Sequence, residues 1–216
     1  RFAVSFVAAL AELGVEHAAV SPGSRNTPMS MTLAAEPRIT DRSFHDERSA
    51  GFFALGVGKA AGFPALVTCT SGTAAAELHP AVVESRYGRV PLIVVTADRP
   101  SDLWETGAAQ TIDQRGLYGS AAAWSHDLDV PAPGDAAPGL PAALAARLVA
   151  ESLRASGPVH LNLRFREPLV PGRALPDPVG PVPTVDVGRA TPSPDAVEAA
   201  ATALAGRRGL IVAGPR

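Results

Sequence analysis

The period of the apolar positions changes several times along the chain, and each change predicts an element. Phe2, Phe6, Val7, Leu10 and Leu13 recur at helical spacing, with Gly14 as a stop. His17–Val20 reads as a short buried strand running into a turn-rich loop, Ser21-Pro22-Gly23-Ser24-Arg25. Thr27 before Pro28 has the form of a helix cap followed by proline at the first helical position. Ile39–Phe44 is a second strand, and Asp46 can cap a helix from Glu47 to Ala61. Ala65–Cys69 is a third strand, after which Thr70-Ser71-Gly72-Thr73 opens a helix reaching about Arg86. Pro91–Ala97 is continuously apolar and β-branched, as a strand buried on both faces should be. Weaker signals mark a strand over Trp124–Val130, a helix over Leu140–Ala155 and a strand over Val159–Leu163.

Strands alternating with helices predict an α/β fold, a doubly wound and mostly parallel sheet with helices on both faces. Ligands of such sheets gather outside the carboxyl ends of the strands. The loops Ser21–Arg25, His45–Arg48 and Thr70–Thr73 are expected there. From Glu167 to Pro194 prolines crowd the chain and no period is visible, so residues 167–194 read as an extended linker after a domain of residues 1–166. A helix from Asp195 to Ala205 and a strand over Gly209–Val212 are expected to begin a further, incomplete domain at 195–216.

Composition narrows the function classes. With 216 residues, nearly half of them hydrophobic, a sizeable core is available. A formal charge of −2 argues against a nucleic-acid surface. Lys59 is the sole lysine among many arginines. Coding bias accounts for this, but arginine is also the side chain that grips carboxylates bidentately. Cys69 has no second cysteine to bond and sits in an apolar run, so it reads as structural. No apolar stretch approaches a membrane span and the start lacks a signal-peptide layout, from which a soluble cytoplasmic protein is expected. The first residue is not methionine, so a start within a longer reading frame is expected.

Several motifs fail. Gly56-Val57-Gly58-Lys59-Ala60 lacks the leading glycine and the Ser/Thr of a phosphate-binding loop, and it falls inside a helix, where small residues permit close packing. The histidines show no metal-ligand spacing. Gly134-Asp135 is followed by Ala136 and does not form a Gly-Asp-Gly block. What remains is a convergence at one sheet edge: Ser24 and Arg25 after the first strand, Glu47 after the second, Thr70–Thr73 after the third, Arg99 after the strongest, and Gln110 beyond it. Taken singly, Glu47 could simply favour a helix N-terminus, the threonines could be caps and the arginines could be surface residues. Their joint placement favours a site.

Five ordered blocks carry a resemblance. Ser21–Pro28, His45–Gly56, Cys69–Ala74, Thr96–Pro100 and Gln110–Gln114 are similar to the opening motifs of the 2-succinyl-5-enolpyruvyl-6-hydroxy-3-cyclohexene-1-carboxylate synthases, the menaquinone-pathway branch of the thiamine-diphosphate enzymes. The resemblance spans roughly Phe2 to Leu163 and implies the N-terminal, pyrimidine-binding domain of that transferase. It implies thiamine diphosphate as cofactor and isochorismate and 2-oxoglutarate as substrates. Glu47 matches the glutamate that bonds N1′ of the aminopyrimidine and favours its imino tautomer, whose nitrogen takes the thiazolium C2 proton. Pro22, Gly23 and Thr73 match cofactor-facing positions, and Ser24, Arg25, Arg99 and Gln110 match substrate-contacting ones. The family commonly has Asn before that glutamine; Ala109 stands here, so one amide contact is missing. Family members hold the diphosphate through Mg²⁺ or Mn²⁺ on a second domain supplied by another subunit of a homodimer or homotetramer. The resemblance therefore implies that this chain alone is inactive. Another thiamine-diphosphate enzyme acting on smaller 2-oxoacids, or a stand-alone binding module, are the competing readings.

Overall fold

The computed structural model describes residues 1–131, 137–172, 174–188, 191–210 and 212. They form two compact units, Arg1–Val185 and Asp186–Arg216. In the first unit six strands make one wholly parallel sheet: β1 (His17–Val20), β2 (Thr40–Ser43), β3 (Ala65–Cys69), β4 (Leu92–Asp98), β5 (Trp124–Asp129) and β6 (Pro158–Arg164). Their spatial order is β2-β1-β3-β4-β6-β5. After β2 the chain crosses back over β1 to place β3 on its other side, so the winding direction reverses between β1 and β3. In sheets of this kind ligands bind outside the carboxyl ends of the strands at such a reversal.

Side-chain alternation divides the core. Leu66, Ile93, Val95, Val159, Leu161 and Leu163 face α1 (Phe2–Glu12), α2 (Thr27–Ala35) and α6 (Leu140–Ala155) in one apolar cluster. Ala65, Val67, Cys69, Leu92 and Val94 face the opposite way, toward α3 (Glu47–Ala61), α4 (Thr73–Glu77), α5 (His79–Gly88) and Tyr118. Every residue of β3 and β4 is buried, as expected of central parallel strands covered on both faces, whereas all four residues of edge strand β2 are exposed.

Local chemistry sets the helix ends. Asp46 caps α3, its carboxylate accepting from the Ser49 N–H at 2.6 Å, and Gly62 closes the helix in the left-handed region at φ 64°. Gly58 lies against the chain before β4: a Cβ there would stand 2.5 Å from the Pro91 carbonyl. This explains the glycine in the failed phosphate-loop motif by packing, whereas Gly56 faces open space.

Several details depart from expectation. The helix expected from Thr70 to about Arg86 breaks into α4 and α5, because Pro80 has no N–H to continue the ladder and its ring crowds the carbonyl four residues back. Thr27 is not the cap of α2; Asn26 holds that position, and its amide is spent elsewhere, donating to the Ser21 carbonyl at 3.0 Å and accepting from Thr68 Oγ1 at 2.9 Å. Residues 167–172 and 174–185 are irregular but lie within the first unit, with Leu169 buried and Val182 and Val185 against the apolar cluster. In the second unit, Ser193 caps α7 (Pro194–Leu204). Of the strand expected at Gly209–Val212, the described residues Gly209, Leu210 and Val212 are exposed and irregular. Gly134 and Asp135 lie outside the described residues.

Candidate functional site

Because all strands run parallel, every loop leaving a strand emerges at one edge, and the candidate residues follow. The turns after β1 and β3 meet at the reversal of winding. Ser21 donates its N–H to the Thr68 carbonyl at 2.9 Å, and Gly23 sits so close to Thr70 that a Cβ would lie 2.5 Å from the threonine Cβ. Ser24 and Arg25 follow in a single 3-10 turn, Ser24–Asn26, with Ser24 and Pro22 exposed. Glu47 is the first residue of α3 and half-buried, where the helix dipole favours a carboxylate. Among the described residues its carboxylate has no hydrogen-bond or ion-pair partner, and its charge helps burial push the Cys69 thiol up, so it stands within electrostatic reach of the end of β3. Thr73, exposed, opens α4.

Two arginines converge from different elements. Arg25 donates from Nη1 to the Phe165 carbonyl just past β6 at 2.9 Å, and its Nη2 lies 3.4 Å from Glu167. Its Nε is buried without a partner among the described residues, as is Ser21 Oγ. Arg99 follows β4 and donates to Ser71 Oγ and, at 2.9 Å, to the Gln110 carbonyl. Burial first, then the positive charge of Arg25, hold the Arg99 guanidinium below its ordinary range, against a smaller pull from Asp98. Arg99 forms no ion pair among the described residues. Two guanidiniums that repel one another, one bonded to neutral groups and the other to a carbonyl and one exposed carboxylate, make a site that an anion would relieve.

Gln110 is exposed with φ 60°, on a loop pressed onto the turn after β3. Gly72 adopts φ 81°, and a Cβ there would come 3.0 Å from the Gln110 carbonyl. The same loop is held by Trp104, whose ring is approached by the guanidiniums of Arg115 (4.7 Å) and Arg164 (4.6 Å).

Behind the loops runs a polar seam whose contacts motif reading missed. Register pairs Val94 with His160, Thr96 with Asn162 and Asp98 with Arg164 across β4 and β6, and Asp127 and Asp129 with Asn162 and Arg164 across β5 and β6. Thr96 Oγ1 lies 2.8 Å from both His160 Nε2 and Asn162 Oδ1. The asparagine oxygen can only accept, so the hydroxyl spends its proton there and must accept from His160 Nε2–H. Burial lowers the His160 pKa to about 3, which keeps the ring neutral. Asn162 passes two donor bonds on, to Asp98 at 3.0 Å and Asp127 at 2.7 Å. Burial raises the Asp98 pKa, opposed by the bonds from Asn162 and the Arg99 N–H and by the charges of Arg164 and Arg99. The signal available in sequence was His160 and Asn162 at alternate positions of an otherwise apolar strand.

The structure thus brings Ser24, Arg25, Glu47, Thr73, Arg99 and Gln110 to one edge of the sheet. A mainly apolar cavity of about 810 Å³ lies elsewhere, between α1, α2 and residues 165–172 and 175–179, lined by Phe2, Met31, Leu169 and Val179 among others. Among the described residues no group of three His, Cys, Asp or Glu side chains is placed to hold a metal, and no helix is long and apolar enough to cross a membrane.

Comparison with known proteins bears on this edge. The family described as "Thiamine pyrophosphate enzyme, N-terminal TPP binding domain" matches residues 1–117. The chain is similar to the 2-succinyl-5-enolpyruvyl-6-hydroxy-3-cyclohexene-1-carboxylate synthase of Geobacillus kaustophilus, 48% identical over 99% of the chain and 38% of that protein. It is similar to the synthases of the same name from Chloroflexus aurantiacus, 46% identical over 95% of the chain and 36% of that protein, and Haloarcula marismortui, 43% identical over 99% and 40%. The chain therefore spans about two-fifths of the length of these relatives.

Proposed function

Since the chain belongs to the thiamine pyrophosphate enzymes through their N-terminal binding domain, we propose that it supplies the pyrimidine-facing part of a synthase that joins 2-oxoglutarate to isochorismate in menaquinone biosynthesis. Similarity to synthases of that activity over nearly the whole chain supports the reaction. The observation that carries the substrate class is the Arg25–Arg99 pair, two mutually repelling guanidiniums at the sheet edge that carries Glu47. Both proposed substrates bear two carboxylates, and forked donors orient as well as attract them.

When bound, thiamine diphosphate supplies the electron sink for decarboxylating a 2-oxoacid. The residues present suit its pyrimidine half. Glu47 offers a half-buried carboxylate at a helix N-terminus, without a partner among the described residues and able to share a proton with ring nitrogen N1′. Pro22 and Gly23 after β1 and Thr73 after β3 are the proposed flanking contacts. Ser24, Arg25, Arg99 and Gln110 bind and orient the carboxylate substrates; Ala109 contributes no side-chain amide. Residues 1–166 constitute the pyrimidine-binding domain in this proposal and residues 167–194 the connecting segment, whose first part lies along it; residues 195–216 begin the next domain. A homodimer or homotetramer in the cytoplasm, with Mg²⁺ or Mn²⁺ and the diphosphate held by another subunit's second domain, completes the proposal. The chain alone is then inactive.

The test uses the complete reading frame that carries this chain. Isochorismate loss is followed with 2-oxoglutarate, thiamine diphosphate and Mg²⁺. Consumption that needs every component and falls at least ~100-fold in Glu47→Gln is expected. Decarboxylation of a smaller 2-oxoacid without use of isochorismate overturns the substrate assignment, and activity undiminished in the variant removes Glu47 from its role.

A further inference from the structure

We propose that Gln114 is a positioning residue for isochorismate binding, its buried carboxamide tying the turn after β3 to β4 and β6 and so setting where Arg99 and Gln110 stand. This rests on the synthase reading above. Gln114 is fully buried, so it acts through other groups. Its Oε1 accepts from the Gly72 N–H at 2.8 Å, while Nε2 donates to the Ala97 carbonyl at 3.3 Å and to Asn162 Oδ1 at 2.8 Å. Two of these partners are backbone groups of fixed role, a donor and an acceptor, so the orientation of the amide is dictated by its surroundings. The position calls for one acceptor and two donors on one planar group. Glutamate would keep the first and lose the others; an apolar side chain would lose all three.

The contacts close a ring. Gly72 is next to Ser71, whose hydroxyl receives Arg99 Nη1. The same Nη1 donates to the Gln110 carbonyl. The chain from Gln110 returns through three residues to Gln114. The backbone leaves little slack. Gly72 and Gln110 both take positive φ and are so close that a Cβ on Gly72 would touch the Gln110 carbonyl at 3.0 Å. Releasing the Gly72 N–H therefore frees the turn to move, and Arg99 and Gln110 with it. Asn162 anchors the ring to Asp98 and Asp127, below the loops.

The experiment compares wild type, Gln114→Met and Gln114→Glu in the complete protein. It measures kcat and KM for isochorismate, thiamine diphosphate affinity by calorimetry, the melting temperature, and exchange of the Gly72 amide. Gln114→Met is expected to raise the KM for isochorismate about 10-fold, the scale of one lost hydrogen bond, with cofactor affinity within about 3-fold and Gly72 exchange about 10-fold faster. Gln114→Glu retains the acceptor and is expected to keep more of the Gly72 protection; it also serves as the second variant if methionine prevents folding. An unchanged KM in a folded variant overturns the proposal. So does a parallel loss of kcat, substrate binding, cofactor affinity and melting temperature, which marks a merely structural role. If the wild type does not consume isochorismate, the synthase reading fails and takes the substrate assignment with it, while unaltered Gly72 exchange separately refutes the tie.

Discussion

The two faces of the sheet differ in kind. On the face toward α1, α2 and α6, β4 and β6 present Ile93, Val95, Ala97, Val159, Leu161 and Leu163, all apolar and buried. On the other, the same two strands begin apolar at Leu92 and Val94 and then turn polar through His160, Thr96, Asn162 and Asp98 toward the carboxyl edge. Apolar burial is non-directional and holds strands together without specifying what their ends do. Hydrogen bonds between buried groups are directional and costly to leave unmade, so they fix positions. One face supplies cohesion; the other adds alignment of the loops that carry Arg99 and Gln110.

The largest effect that would test this division is a cavity on the apolar face. Leu161→Ala is expected to cost about 2–5 kcal/mol in urea unfolding while leaving the KM for the proposed substrate, isochorismate, unchanged in the folded complete protein. A shifted KM would show that the apolar face also positions the site.

Acid should act on the other face. The folded-state pKa of His160 is lowered to about 3 by burial, below the ordinary value of roughly 6.5. Between those values the unfolded chain binds the extra proton, so stability is fully present above the higher one and falls as pH drops toward the lower. A loss of roughly 3 kcal/mol by about pH 4 is expected from this group, seen as a falling urea midpoint. The slope attributable to it should vanish in His160→Gln; equal slopes in both proteins would refute the assignment.

Thr96→Val is nearly isosteric and removes only the hydroxyl that links His160 to Asn162. It should cost about 1–3 kcal/mol and, unlike Leu161→Ala, raise the KM. The smallest effect belongs to neither face: Asp46→Ala removes the cap of α3 and should cost about 1 kcal/mol, lowering the melting temperature. If Glu47, the next residue, depends on that cap for its place, activity falls further than stability does.

How far the molecule was legible in its sequence follows the same division. The apolar period placed β1, β3, β4 and α3 within a residue or two, because burial on both faces of a parallel sheet writes itself as continuous apolar runs. Asp46 was readable as a cap because capping is a contact over three residues. Thr27 was misread because the neighbouring Asn26 is held by Ser21 and by Thr68 on another strand. The break at Pro80 was readable in principle from the proline alone.

By itself, the sequence determined the α/β class, the parallel alternation and which loops leave the carboxyl ends of strands, since these depend on local period and backbone preference. It also carried the motifs through which the family shows. Only the tertiary structure decided that Arg25 and Arg99 stand near enough to repel and that Gly72 meets Gln110 and Gln114 across 38 and 42 residues of chain. It alone decided that His160 and Asn162 share a seam with Thr96. Those facts depend on strand order and register, which bring together groups far apart along the chain, and a directional hydrogen bond exists only once both partners have been brought within about 3 Å.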